Sequence, residues 1–226
     1  MRPATIVFDL DGTLVHSAPD LGFAINCVLQ ELGVASLPLH RIESMIGNGM
    51  PKLFERALAA SNLNLSPGEY STQLENFLAI YDANIARETT PYSGVETLLL
   101  ELREYGCKLA ICTNKKQGVT LKLVAALGME QSFDAIIGAD EGRLRKPEAE
   151  PLLLAISQAG GVASNALMVG DSAADAQCAK AANVPCVLVN YGYSNISVTE
   201  LPSIGVISKI AAVKQIAFEL GLFAEV

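Results

Sequence analysis

Several side chains that could act together on an anionic group lie in the segments that follow short apolar runs of this sequence. In chain order they are Asp9, Asp11, Thr113, Asn114, Lys146, Asp171 and Asp175. If the apolar runs are strands of a parallel sheet, the residues after their carboxyl ends meet at one edge of that sheet. Carboxylates that converge there cannot all stay ionised without a cation. A divalent ion that prefers oxygen ligands, such as Mg2+, would meet that need.

An aspartate in such a site could attack phosphorus. With Mg2+ and Lys146 neutralising charge, a phosphoryl group can approach the carboxylate of Asp9 and form an aspartyl-phosphate, which divides one difficult displacement into two. Two residues further along an extended chain, Asp11 has its side chain on the same side as Asp9. We therefore expect Asp11 to protonate the leaving oxygen and afterwards to deprotonate the hydrolytic water.

The other motif residues could hold the phosphoryl group. We expect the Thr113 hydroxyl to bind a phosphate oxygen and Lys146 to supply a positive charge. The apolar spacing predicts a helix over 115–127, so that the backbone N–H groups of Thr113 and Asn114 at its start would add donors. Asp175, one helical turn after Asp171, would orient Lys146 or a metal-bound water.

Apolar runs that alternate with helical patterns predict the elements that position these residues. The expected strands are 4–10, 108–112, 135–137, 166–169 and 186–189. Helical patterns separate most of them, and one helix is expected to open with a capping box at Ser93 and Glu96. This alternation predicts a doubly wound parallel sheet, an α/β core of the Rossmann-like type.

Residues 17–87 interrupt the alternation, because they contain helical patterns and no convincing strand. The patterns cover 17–32, 39–45, 51–60 and 67–84. A stretch of this length is too long for one crossover connection. We therefore predict a small, all-helical cap domain over 17–87, inserted into a core built from 1–16 and 88–226.

The composition excludes several classes of protein. The chain has 226 residues, of which 50% are hydrophobic, and a net charge of −8. It is long enough to bury a core without disulfides or metals, and too apolar to be disordered. No apolar stretch reaches the ~18 residues of a membrane span, and the acidic balance argues against nucleic-acid or membrane partners. The five cysteines lack C-x-x-C spacing, so we expect reduced thiols. The segment before Asp9 is too short for a secretory leader, so we expect a cytoplasmic protein.

The motifs resemble those of the haloacid dehalogenase-like hydrolase superfamily over nearly the whole chain. In that family's order, the sequence carries Asp9-Leu-Asp11-Gly-Thr13, Thr113-Asn114, Lys146-Pro147 and Gly170-Asp171-Ser-Ala-Ala-Asp175. The resemblance implies a Mg2+-dependent phosphatase with Asp9 as the nucleophile. It also implies that Asp9, the main-chain carbonyl of Asp11 and Asp171 bind the metal.

Other segments resemble the phosphoglycolate phosphatase branch of this superfamily. They are 14–21, 45–50, 113–115 and 190–193. The branch implies a small phosphorylated metabolite as the partner, and hydrolysis of 2-phosphoglycolate to glycolate and phosphate. His16 stands where the branch usually has Asp, and Glu148-Ala149-Glu150 replaces its usual His-Pro-x. Neither departure removes an expected catalytic residue, so both affect the prediction of the substrate more than the prediction of the reaction.

Two segments and the function itself leave alternatives open. Gly47, Asn48 and Gly49 either end a helix with a turn, or form a cap loop whose backbone approaches the substrate carboxylate. His16 either lies at the cap hinge or acts as a base. The same chemistry would serve a pyrophosphatase, a sugar-phosphate phosphatase or a phosphomutase, which phosphate release from the respective substrates would distinguish. A phospho-accepting receiver module also combines these residue types, but it needs no cap and benefits from a long-lived phospho-aspartate, whereas the insertion and Asp11 both favour rapid hydrolysis. Nothing in the sequence indicates an oligomeric state.

Overall fold

A six-stranded parallel sheet forms the centre of the computed structural model, which describes residues 3–47, 49–140, 142 and 144–223. In chain order the strands are β1 (Thr5–Phe8), β2 (Val15–His16), β3 (Thr90–Pro91), β4 (Lys108–Lys116), β5 (Ala135–Ala139), β6 (Ala166–Gly170), β7 (Cys186–Val189) and β8 (Gly205–Ile207). The order within the large sheet is β5-β4-β1-β6-β7-β8. The chain thus builds outward from β1 through β4 and β5, then returns to β6 on the other side. This reversal brings the carboxyl ends of β1, β4 and β6 to one crevice, where such sheets bind ligands.

Helices cover both faces of the sheet. In chain order the helices are α1 (Ala18–Glu31), α2 (Leu39–Glu43), α3 (Met50–Ala60), α4 (Pro67–Ala83), α5 (Val95–Glu104), α6 (Gln117–Ala126), α7 (Glu150–Gln158), α8 (Ala173–Ala181) and α9 (Ala212–Glu219). Ile6 and Phe8 of β1 pack in one apolar cluster with α5, α6 and α9, whereas Val7 packs in another with α7 and α8. Burial of both faces explains why the strands are continuous apolar runs. Within the described residues, no helix has the length and apolar character that crossing a membrane requires.

Helices α1 to α4 form their own apolar cluster, inserted between β1 and β4 along the chain. The rings of Phe54 and Phe77 stack in it with centroids 5.7 Å apart, and Tyr81 is buried beside them. Burying such large side chains is the main stabilising contribution to a helical layer of this size. The predicted α/β core with an inserted helical cap is therefore confirmed.

A short ribbon connects the helical insertion with the sheet. Strand β2 pairs antiparallel with β3, so that His16 lies opposite Thr90. Beyond the ribbon, the fully buried carboxylate of Asp20 accepts hydrogen bonds from the backbone N–H groups of Glu88 and Thr89, at 2.8 and 2.9 Å. The Thr89 hydroxyl donates a third, at 2.6 Å. These hydrogen bonds connect the beginning of the helical insertion, at Asp20, with its end, at Glu88 and Thr89.

Several predicted boundaries were wrong. Strand β4 continues to Lys116, which pairs with Ala139 of β5 after an irregularity, so Thr113 and Asn114 lie in a strand and not at the start of a helix. Pairing with β5 overrides the helical apolar spacing there, and α6 begins only at Gln117. Helix α5 begins after a left-handed Gly94, without a side-chain cap from Ser93. Strand β8 and helix α9 were not predicted.

Candidate active site

Asp9 lies at the carboxyl end of β1, where it is buried against Lys146. Its Oδ1 atom is 2.8 Å from the Lys146 Nζ, which also donates to Oδ1 of Asp175 at 2.6 Å. Burial raises the pKa of Asp9 to about 6, although the Lys146 ammonium opposes that rise. Burial would lower the pKa of Lys146, but Asp175 and Asp9 together raise that pKa well above its usual value. Lys146 therefore carries a fixed positive charge beside Asp9.

Asp175 directs this lysine from the first turn of α8. Its Oδ2 accepts hydrogen bonds from the Ser172 hydroxyl at 2.6 Å, the Ser172 N–H at 3.0 Å and the Asp171 N–H at 3.3 Å. These bonds form a capping box that starts α8. With Oδ1 on Lys146 and Oδ2 on the helix start, both carboxylate oxygens have partners within the protein.

Asp171 follows β6 and is enclosed by main chain. Its Oδ2 accepts the N–H of Tyr193 at 2.6 Å. Gly12 and Gly192 pack so closely on Asp171 that a Cβ at either position would collide with Oδ2, and Gly12 also has a φ of +86°. Burial, followed by the charges of Asp175 and Asp9, raises the pKa of Asp171 well above its usual value. The site thus concentrates acidic groups in a buried space.

Asp11 is held by a lysine that the sequence analysis did not assign to the site. The Lys115 Nζ donates to Oδ1 of Asp11 at 3.0 Å and to Oδ2 at 2.9 Å. The same ammonium lies 4.9 Å from the ring centre of Tyr81 in α4. Burial would lower the pKa of Lys115, but Asp11 and Tyr81 raise that pKa overall. Lys115 thus connects the insertion with the sheet at Asp11.

Thr113 and Asn114 lie beside Lys146 but differ in what their side chains can do. Thr113 is buried in the cavity wall, where its hydroxyl accepts the Lys115 N–H at 3.3 Å. The Asn114 amide donates to the Lys146 carbonyl at 2.9 Å and accepts the Lys146 N–H at 3.0 Å. This pair of bonds occupies the Asn114 side chain and fixes the backbone of Lys146, which precedes a cis proline, Pro147.

Three carboxylates could hold a metal ion in this arrangement. One oxygen each from Asp9, Asp171 and Asp175 lies within 4.8 Å of the others. Oxygen donors of this kind suit a hard divalent cation, which would also offset the repulsion between the acids. The Asp11 carboxylate is not in this cluster, because Lys115 holds it. Asp175 is near enough to be a ligand, although both of its oxygens already have partners.

A cavity of about 190 Å3 opens between the sheet and the insertion. Its sheet side includes Asp9, Asp11, Thr113, Asn114, Lys146 and Asp171. Gly47 and Gly49 line it from the loop before α3, whereas Asn48 lies outside the described residues. The backbone of this loop therefore borders the same space as the carboxylates.

His16 lies in the ribbon between sheet and insertion and is not among the residues that line this cavity. Its Nδ1 is 2.9 Å from the Tyr193 hydroxyl, which also accepts the N–H of Ala18 at 3.0 Å. Its Nε2 is 3.9 Å from a carboxylate oxygen of Glu43 in α2. Since the N–H of Tyr193 binds Asp171, one residue connects this ribbon with the carboxylate cluster.

Lys115, Tyr193, Arg56 and Arg145 are among the residues near the site that the sequence analysis missed. The motif Thr113-Asn114-Lys115 carried a usable signal for Lys115, because it places a lysine next to two expected site residues. Tyr193 binds Asp171 through its main-chain N–H. Because every residue except proline has this group, the residue type at position 193 does not indicate the contact. Arg56 of α3 reads as an ordinary polar residue of an amphipathic helix, yet it lines the cavity.

The chain is similar to known proteins over most of its length. The sequence profile of the haloacid dehalogenase-like hydrolases matches residues 6–189. The phosphoglycolate phosphatase of Caulobacter vibrioides is 39% identical over 201 residues, which cover 89% of this chain and 85% of that protein. The phosphoglycolate phosphatase of Mesorhizobium japonicum is 40% identical over 212 residues, which cover 94% and 93%.

A solved structure is similar over almost its full length. The crystal structure of a predicted phosphoglycolate phosphatase from Haemophilus somnus matches with a TM-score of 0.89 at 28% identity, covering 96% of this chain and 98% of that one. The profile match includes the motifs at 9–13, 113–114, 146–147 and 170–175, and it ends before the segment 190–193. The chain belongs to the haloacid dehalogenase-like hydrolase family.

Proposed function

We propose that this chain is a Mg2+-dependent phosphatase that hydrolyses a small phosphomonoester, with 2-phosphoglycolate as the first candidate. The products would be glycolate and phosphate. The observation that carries the proposal is the buried carboxylate of Asp9, 2.8 Å from the Lys146 ammonium and adjacent to Asp171, on the wall of a cavity. Relatives about 40% identical that are named phosphoglycolate phosphatase support the substrate.

Asp9 is the nucleophile in the proposed reaction. One of its carboxylate oxygens attacks phosphorus, and the bond from phosphorus to the alcohol oxygen breaks, which leaves an aspartyl-phosphate. In its protonated form, released from the ion pair with Lys115, Asp11 gives its proton to the departing oxygen. It then takes a proton from a water molecule, whose oxygen attacks phosphorus and breaks the bond to Asp9. Phosphate is released and both aspartates return to their starting state.

Lys146 and Thr113 hold the phosphoryl group in this scheme. The Lys146 ammonium contributes positive charge next to Asp9, and the Thr113 hydroxyl contributes a hydrogen bond. Asn114 acts through Lys146, because both of its amide atoms bond the main chain of that lysine. Asp175 aims the ammonium from the opposite side.

Mg2+ is the cofactor that the acidic cluster fits best. Asp9 and Asp171 would hold it together with the main-chain carbonyl of Asp11. Asp175 would orient Lys146 or a metal-bound water. The bound ion would reduce the repulsion between the anionic phosphate and the Asp9 carboxylate. Burial, followed by the charges of neighbouring acids, raises the pKa values of Asp9 and Asp171, and a bound cation would stabilise the ionised form of both carboxylates.

Residues 17–87 form the cap domain in this proposal, and 1–16 with 88–226 form the core. The separate apolar cluster of the helices and the ribbon at His16 support these boundaries. Closure of the cap over the cavity would exclude water and select the leaving group. The five free cysteines, all wholly or partly buried, agree with the reducing cytoplasm as the location.

Phosphate release from a panel of substrates tests the proposal. The panel comprises 2-phosphoglycolate, pyrophosphate, a hexose phosphate and p-nitrophenyl phosphate, each with and without Mg2+. We expect the highest kcat/KM for 2-phosphoglycolate with Mg2+, and a loss on the order of 10^4-fold or more in Asp9→Asn with an unchanged circular dichroism spectrum. Absence of release from every substrate, or turnover by Asp9→Asn, would contradict it.

A further inference from the structure

The cavity is positively charged although the chain as a whole is acidic. The net charge of the chain is −8. Among the described residues that line the cavity, the carboxylates are Asp9, Asp11 and Asp171. The cations that line it are Arg56, Lys115, Lys116, Arg145 and Lys146. The cavity therefore has more positive charge than its own acids neutralise, which attracts a ligand with several negative charges.

Two of these cations are already committed to aspartates. Lys115 is paired with Asp11, and Lys146 with Asp9. Arg56, Arg145 and Lys116, in contrast, form no ion pair with any carboxylate in the described part of the chain. Two guanidinium groups thus remain for a ligand after the residues proposed to act on the phosphoryl group are accounted for.

Both arginines stand at the loop that carries Gly47 and Gly49. Arg56 reaches back from α3, and its Nη1 donates to the carbonyls of Met45 at 2.7 Å and Gly47 at 3.3 Å. Arg145 reaches across from the core, where its Nη1 would be 3.9 Å from a Cβ placed on Gly49. One arginine from the cap and one from the core therefore border the same side of the cavity.

We propose that Arg56 and Arg145 form a second anion subsite, which binds a carboxylate on the alcohol half of the substrate. The inference rests on the proposed function and specifies its substrate class. Guanidinium groups suit this task, because their planar donors match the two oxygens of a carboxylate. The phosphoryl group would lie at Asp9 and Lys146, and the carboxylate would point toward the cap loop. Neutral phosphomonoesters would leave the two arginines without a partner.

A comparison of two substrates tests the subsite. The substrates are 2-phosphoglycolate and 2-hydroxyethyl phosphate, which replaces the carboxylate with a neutral hydroxymethyl group. We expect Arg145→Gln to lower the ratio of their kcat/KM values about tenfold to a hundredfold, since it removes charge-assisted hydrogen bonds to one substrate only. Arg56→Lys keeps the charge but loses the forked donor, and should lower the ratio less.

Arg41→Gln is the matched control. Arg41 is an exposed arginine of α2 that does not line the cavity, so its substitution removes one positive charge, as Arg145→Gln does, without changing the subsite. The ratio should be unchanged in this variant. Thermal melting of each variant would show that the fold is retained.

The possible failures are distinguishable. If wild type hydrolyses both substrates but Arg145→Gln and Arg56→Lys lower the two kcat/KM values equally, the subsite is wrong and the proposed function stands. The subsite is also wrong if pyrophosphate is the preferred substrate and the variants lose that preference, because the second anion would then be a phosphate. If the wild-type protein releases phosphate from no substrate, the proposed function is wrong, and the subsite is wrong with it.

Discussion

The Lys115 ammonium spans both carboxylate oxygens of Asp11, at 3.0 and 2.9 Å, while it lies 4.9 Å from the ring centre of Tyr81. Asp11 belongs to the sheet side of the cavity and Tyr81 to helix α4 of the insertion. The side chain proposed to move the proton is thus held by a lysine that also contacts the cap. Lys115 is therefore a positioning residue, since it acts through Asp11.

Replacing this lysine should slow catalysis. We expect Lys115→Met to lower kcat for 2-phosphoglycolate about tenfold or more, because Asp11 loses the partner that fixes its orientation. Lys122→Met is a suitable control, since Lys122 also joins core to insertion, through an exposed ion pair with Asp82 at 2.6 Å. That pair should contribute at most about 1 kcal/mol to the free energy of unfolding and nothing to kcat. Steady-state kinetics and thermal melting separate the two effects, and equal kcat losses would argue against positioning.

The proton transfer assigned to Asp11 predicts a dependence on the leaving group. Asp11→Asn should lose most of its activity on 2-phosphoglycolate, whose alcohol is a poor leaving group. It should lose less on p-nitrophenyl phosphate, because that leaving group departs without a proton. The measurement is kcat/KM for each substrate in wild type and variant. Losses of the same size on both would speak against Asp11 as the acid.

Metal binding should stabilise the folded protein. We expect EDTA to abolish phosphate release and added Mg2+ to restore it. Mg2+ at about 100 times its Kd should add roughly 2.7 kcal/mol to the free energy of unfolding, seen as a rise in melting temperature. Asp171→Asn removes one expected ligand and should reduce that rise, whereas Glu96→Gln, an exposed substitution on α5, should not. A full Mg2+ response in Asp171→Asn would show that the ion binds elsewhere.

Gly12 should be intolerant of any side chain. Gly12→Ala would place a Cβ against the carboxylate of Asp171 in a backbone with a φ of +86°. We expect a loss of about 1–3 kcal/mol in the free energy of unfolding together with a large fall in kcat. Gly33→Ala has a similar φ of +74° but open space around the new atom. Gly33→Ala should therefore lose stability without losing activity. If both variants were inactive, contact of the new Cβ with Asp171 would not explain the loss of activity in Gly12→Ala.

The residues that the sequence indicated most clearly are those that directly follow a buried strand. Asp9 and Asp171 follow the strands β1 and β6, which are fully buried. Buried parallel strands read as apolar runs, so that a carboxylate directly after one is conspicuous. Lys146 does not directly follow a strand, since β5 ends at Ala139, and the contacts of its ammonium with Asp9 and Asp175 arise only in the fold.

Other features depend on contacts between distant segments and could not be predicted. Lys115 is buried because Asp11 and Tyr81 meet it from separate parts of the chain. The stretch after Cys112 has helical spacing, but pairing between Lys116 and Ala139 keeps it extended. Strand β8 is only three residues long, and its register with β7 is a property of the assembled sheet.

The ribbon of β2 and β3 brings the two ends of the insertion side by side, with His16 opposite Thr90. None of the six strands in the large sheet comes from the inserted segment. Exchanging the insertion for another helical module, or for a tight turn, would therefore leave the hydrogen-bond ladder of the sheet unbroken. If the insertion selects the leaving group as proposed, its replacement would change which alcohol is released while the framework of the sheet stays the same.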